Sequence, residues 1–99
     1  ADNVFGLSDT DQMALAGEDI NDYFDNLGDK YRFVHLSDKN HTVPGTGGLP
    51  MKEYYDTLIK RGYEGWASCE LCSRFYYEDP DKTTDEYVRF LREELGVQL

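Results

Sequence analysis

Three short apolar runs alternate with three stretches of helical periodicity, and this order constrains the fold more than any other feature. "NVFGLSD" (3–9), "YRFVHLS" (31–37) and "GWASCELC" (65–72) read as strands. After the first, Ile20, Tyr23, Phe24 and Leu27 recur at i, i+3, i+4 and i+7, with Gly28 placed as a stop. After the second come Met51, Tyr54, Tyr55 and Leu58, ending at Gly62. After the third, Thr83 and Glu86 stand at capping-box spacing ahead of Tyr87, Phe90, Leu91 and Leu95, with Gly96 closing. The chain therefore divides into strand–helix units at 3–28, 31–62 and 65–96. Such alternation predicts parallel strands joined by crossover helices, an α/β architecture.

The 99 residues suffice for one small domain. Crossovers of one hand put all three helices on the same side of the sheet. The other face, carrying Leu7, Asp9, Phe33, His35, Ser37, Trp66, Ser68, Glu70 and Cys72, is then uncovered. Parallel sheets are covered on both faces or closed into barrels. The expectation is therefore about three of the eight units of a (β/α)8 barrel, a fold of roughly 250 residues. On this view the chain is part of a longer barrel protein, or associates with copies of itself or with a partner. Its start almost on a strand, without a leader, is expected of an internal piece.

The chain carries 20 acidic against 10 basic residues, a net charge of −10. That balance repels phosphate backbones and anionic lipid, so nucleic acid is not an expected partner. No apolar run approaches the roughly 20 residues of a membrane span, and "ADNVFGLSDTD" lacks signal-peptide features, so no membrane association and a cytoplasmic location are expected. Cys69 and Cys72 form a C-x-x-C pair without the second ligand pair of a zinc site. Inside a strand-like run they would point to opposite faces, so two reduced thiols are the expectation.

The strands end in polar residues: Asp9, then His35 followed by Ser37 and Asp38, then Glu70. At the C-terminal rim of a barrel this is where active sites lie. A carboxylate, an imidazole and a carboxylate form a mixed set suited to Mn2+, Co2+ or Zn2+, with Mg2+ also compatible. Each residue also has a structural use, Asp9 as a cap, His35 in the core and Glu70 paired with Arg74. The loop "DKNHTVPGTGGLP" has glycines that let backbone approach a ligand closely, but "GTGG" lacks the Lys-Ser/Thr of a P-loop. Trp66 reads as barrel filling, "RFYYEDPDK" as the loop after the last strand, and the terminal "REEL" as a solvated face. Arg74 in that loop could touch a substrate phosphate or hydroxyl, or pair with Glu78.

The segments "SDTDQ", "FVHLSDKNHTVPGTGGLP" and "GYEGWASCELCSR" resemble the last three strand–helix units of xylose isomerase-like sugar isomerase and epimerase barrels, most closely the ketose 3-epimerases. The resemblance runs from Val4 to about Leu95. It implies one divalent ion, Mn2+ foremost, held by two glutamates, an aspartate and a histidine. Asp9, His35 and Glu70 would be three of these ligands, the fourth lying on a strand before residue 1. It also implies a small-molecule sugar or sugar phosphate as substrate, with proton transfer next to a ketose carbonyl through a metal-stabilised enediolate. Glu70 would be both ligand and acid/base. Two positions depart from the family pattern: Gln12 replaces a substrate-touching histidine, and His41 replaces a substrate-binding arginine. Both, with Arg74, remain the expected substrate contacts.

Two other readings compete. One is a non-catalytic barrel fragment acting through self-association, and the other an inosose dehydratase or isomerase-type enzyme. An endonuclease IV-like repair role needs more metal-binding histidines than His35 and His41 and fits the charge poorly.

Overall fold

The computed structural model describes residues 2–99, with side chains described at every position except 73 and 75. Gly6–Asp9 (β1), Tyr31–His35 (β2) and Trp66–Ser68 (β3) form a parallel sheet in the order β1-β2-β3. Between and after them lie Thr10–Leu15 (α1), Ile20–Leu27 (α2), Met51–Lys60 (α3), Ser73–Glu78 (α4) and Pro80–Glu93 (α5), with a 3-10 turn at Gly28–Lys30. Among the described residues no helix is long and apolar enough to cross a membrane.

Local chemistry sets these boundaries. Asp19 opens α2 by accepting the Asn21 N–H, while its own N–H bonds to Asp22, a reciprocal capping box. Gly28 closes that helix at φ 56°, a left-handed value that glycine adopts without steric cost. α5 begins four residues earlier than the Thr83–Glu86 spacing predicts. Asp79 is the cap, accepting the Lys82 N–H, and Pro80 fills the first helical position. Thr83 lies inside the helix and bonds back to the Asp79 carbonyl, so the expected capping box does not form. The segment read as a loop after the last strand is largely α4.

β1 and β2 pair through Gly6↔Tyr31 and then Leu7↔Phe33, so Arg32 is an extra residue in β2. This bulge turns Tyr31 toward the helices while Phe33 and His35 point the other way. Tyr31 is buried against Tyr23, Phe24 and Tyr63, and its hydroxyl bonds to Ser8 Oγ. The core between sheet and helices joins Tyr31 with Met13, Val34, Leu36, Met51 and Leu58. α2 packs so closely on β1 that a Cβ at Gly6 would lie 2.3 Å from Leu27.

The opposite sheet face is uncovered, as the topology predicts. Leu7 is 48% exposed, Phe33 41% and Trp66 75%. Ser37 does not belong to this face. β2 ends at His35, and Ser37 is fully buried beneath the strand ends. β3 is likewise shorter than 65–72, so Glu70 and the two cysteines lie in the loop that follows it.

Candidate active site

Asp9 and His35 are paired across β1 and β2, which puts their side chains together at the end of the sheet. Asp9 Oδ1 accepts the Gln12 N–H at 3.0 Å and so caps α1. The capping role and the site role coexist, because Oδ2 remains directed at the site, 3.4 Å from His35 Nδ1 and 3.2 Å from His41 Nε2. Glu70 Oε2 closes the arrangement at 3.2 Å from His35 Nδ1. His35 Nδ1 is buried and makes no hydrogen bond, although two carboxylate oxygens stand beside it. A buried polar atom without a partner costs stability unless something else satisfies it. One ligand atom each from Asp9, His35 and Glu70 lies within 4.8 Å of the others. This nitrogen–oxygen set and its orphaned imidazole fit a borderline divalent cation.

Two buried hydroxyls hold the site together. Thr10 Oγ1 donates to the Ser37 carbonyl at 2.6 Å, also lies 3.2 Å from that of His35, and accepts the Ser37 N–H at 2.9 Å. Ser37 Oγ in turn donates to the Glu70 carbonyl at 2.8 Å and accepts the Glu70 N–H at 3.1 Å. The β2–β3 ladder runs out at the bond from Leu36 N–H to the Ser68 carbonyl. Ser37 therefore takes over from strand pairing at Glu70. Sequence periodicity carries no sign of this, since a serine two residues past a histidine reads as continued strand.

The glycine-rich loop is pinned rather than open. Asp38, fully buried, accepts the N–H groups of Lys39 at 2.8 Å, Gly45 at 2.7 Å and Leu49 at 2.9 Å. A Cβ at Gly47 would sit 2.6 Å from Asp38 Oδ1, so this glycine makes room for the carboxylate and not for a ligand. Burial pushes the Asp38 carboxyl up, but the N–H groups of Leu49, Lys39, Gly47 and Gly45 outweigh it and hold it below its ordinary 3.8. A depressed carboxylate stabilises the fold above its unfolded pKa, and that contribution is lost as pH falls through the folded value. Asp38→Asn should therefore cost about 2 kcal/mol at neutral pH and flatten the acid limb of the stability curve below about pH 4. Urea titrations at pH 7 and pH 3 check both; an unchanged acid limb would remove Asp38 as the loop's anchor.

Gln12, Asn40, His41, Glu70 and Cys72 line a cleft of about 490 Å³ at the same rim. Gln12 and His41 thus line the same cleft as Glu70. Arg74 is exposed on α4 and is not among the residues lining this cleft. His41 lies within 3.6 Å of the carboxylates of Asp9, Asp11 and Glu70. Asn40 and His41 both adopt left-handed backbone, at φ 64° and 55°, and Asp11 Oδ2 accepts the His41 N–H at 3.2 Å. Asp11, only 3% exposed, is the residue sequence reasoning missed. Its signal is the D-T-D pattern at the end of the first strand. Burial pushes the Cys69 thiol up to about 12, which disfavours the thiolate a redox pair needs.

A model of the xylose isomerase-like TIM barrel family matches residues 1–94. The chain belongs to this family. Fructoselysine 3-epimerases from Shigella flexneri and Escherichia coli O157:H7 are each 35% identical over 80 residues, covering 76% of this chain and 29% of the relative. Inosose dehydratase from Bacillus licheniformis is 37% identical over 59 residues, 59% of this chain and 18% of the relative. No solved structure matches the chain significantly. The chain spans under a third of the length of these curated relatives. Its strand–helix units are part of a TIM barrel, and Leu7, Phe33 and Trp66 stand on the sheet face away from the helices. The relatives named here are 3-epimerases and a dehydratase.

Proposed function

We propose that this chain supplies the metal-holding rim of a sugar isomerase or epimerase barrel that moves a proton on the carbon next to a ketose carbonyl. The observation that carries this reading is the orphaned His35 Nδ1 between the Asp9 and Glu70 carboxylates. Asp9, His35 and Glu70 would hold one divalent ion, Mn2+ first and Co2+, Mg2+ or Zn2+ as alternatives. A glutamate from a further barrel strand is the expected additional ligand. When bound, the ion polarises the ketose carbonyl and raises the acidity of the neighbouring C–H.

The chain's own residues do the remaining work. Glu70, its side chain 57% exposed while Ser37 clamps its backbone, would take the proton from one face, and the expected glutamate of the further barrel strand would return one on the other. The Gln12 amide can both donate to and accept from sugar hydroxyls, and it carries no charge. The His41 ring walls the cleft beside Glu70. Arg74, beyond the cleft, would reach only the far end of a substrate, a phosphate or distal hydroxyl. Epimerisation is favoured over dehydration because similarity to the 3-epimerases covers more of the chain, 76% against 59%.

The uncovered Leu7, Phe33 and Trp66 support completion of the sheet by further barrel strands, from upstream sequence or from copies of this chain. The free thiols of Cys69 and Cys72 suit a reducing compartment such as the cytoplasm. A native mass spectrum with Mn2+ reports chain count and metal together. The expected spectrum shows one Mn2+ per chain, lost on His35→Ala. A metal-free wild-type chain would leave the self-associating, non-catalytic fragment as the reading.

A further inference from the structure

Resting on that reading, we infer that His41 is a fourth donor to the same ion, so that residues 9–70 alone offer two carboxylates and two imidazoles. The two oxygens that face His35 Nδ1 also face His41. Nε2 of His41 lies 3.2 Å from Asp9 Oδ2 and 3.6 Å from Glu70 Oε2. Asp9 Oδ2 and Glu70 Oε2 are thus each approached by two ring nitrogens from different parts of the chain, one at the end of β2 and one in the loop beyond it.

The far side of the His41 ring supplies the second argument. Nδ1 lies 3.0 Å from Oδ2 of the buried Asp11. A carboxylate at that nitrogen orients the ring so that Nε2, hydrogen-bonded to Asp9 Oδ2 at 3.2 Å, faces both Asp9 and Glu70. Metal-binding histidines are oriented by such an outer carboxylate. The same Asp11 oxygen also accepts the His41 backbone N–H, and the Cys72 N–H bonds to the His41 carbonyl at 2.9 Å. Three contacts therefore hold a residue whose backbone, at φ 55°, sits where L side chains are disfavoured.

Adding a second imidazole shifts the preference from hard toward borderline ions, toward Zn2+ and Co2+ and away from Mg2+. It also lets the chain bind its ion without a ligand from elsewhere in the barrel.

The test titrates the 99-residue chain with Co2+, whose visible bands report the number and kind of donors, for wild type, His35→Ala and His41→Asn. Asparagine is chosen because it tolerates left-handed backbone. The expected result is one Co2+ per wild-type chain, with His41→Asn weakening binding at least about tenfold and shifting the bands. If His35→Ala loses the ion while His41→Asn keeps wild-type affinity and bands, His41 is a bystander and the three-residue site stands. If the wild type takes no Co2+, residues 9–70 do not hold the ion by themselves and this inference falls, while the metal reading of the completed barrel is decided by that barrel's own Co2+ uptake. Proton NMR of the wild type needs no variant: Co2+ should shift the ring protons of both histidines, and an unshifted His41 ring would overturn the inference.

Discussion

Glu70→Gln in the completed barrel is expected to lower turnover at least about a hundredfold, the usual scale for loss of a positioned acid/base. The substitution keeps the side chain's size and leaves the backbone clamp intact, because Ser37 bonds the N–H and carbonyl of residue 70 and not its carboxylate. What disappears is the group that faces His35 and opens into the cleft. Measuring metal affinity in parallel separates the two duties of Glu70. A loss of turnover with the ion still bound assigns proton transfer to the carboxylate, whereas loss of both assigns mainly ligation. Near-normal turnover would remove Glu70 from the chemistry.

Tyr31→Ala should cost about 3–5 kcal/mol, the range for emptying a buried aromatic site. Small domains are stable by only about 5–15 kcal/mol, so this variant is expected to lose a large share of the total and to unfold at a much lower urea concentration. Three rings lie 5.0–5.7 Å from that of Tyr31, tying α2 and the segment before β3 to the start of β2. The bulge at Arg32 places Tyr31 toward the helices and so leaves His35 opposite Asp9. The core and the site thus depend on the same irregularity. Tyr31→Phe keeps the ring and loses only the bond to Ser8, a change of about 1 kcal/mol. Urea unfolding followed by circular dichroism distinguishes these cases, and an unaltered midpoint for Tyr31→Ala would contradict the packing.

The architecture was legible because its signals are periodic. Ile20, Tyr23, Phe24 and Leu27 mark α2 by spacing alone, and Gly28 ends the helix where a glycine stop predicts. Features set by tertiary hydrogen bonds were not legible. α1 is a six-residue helix that starts directly at the Asp9 cap, too short to show a period. β3 stops at Ser68 because Ser37 reaches the Glu70 backbone instead, a contact across 33 residues. At α5, Asp79 followed by Pro80 was the stronger start signal and outweighs the Thr83–Glu86 spacing. Asp9, His35 and Glu70 could be read as strand-end residues on one rim. The turn that brings in His41 depends on left-handed backbone at Asn40 and His41, a conformation that these residue types tolerate but that sequence periodicity does not reveal.

The most direct measurement of the central claim is solvent-deuterium exchange. A panel of ketoses is incubated in D2O with the completed barrel and Mn2+, and the carbon next to the carbonyl is followed by proton NMR. The account predicts that at least one ketose takes up deuterium there and yields its epimer or isomer, with uptake abolished by chelation and by Glu70→Gln. Turnover of an inosose without such exchange into any ketose, or no exchange at all from a metal-loaded barrel, would contradict it.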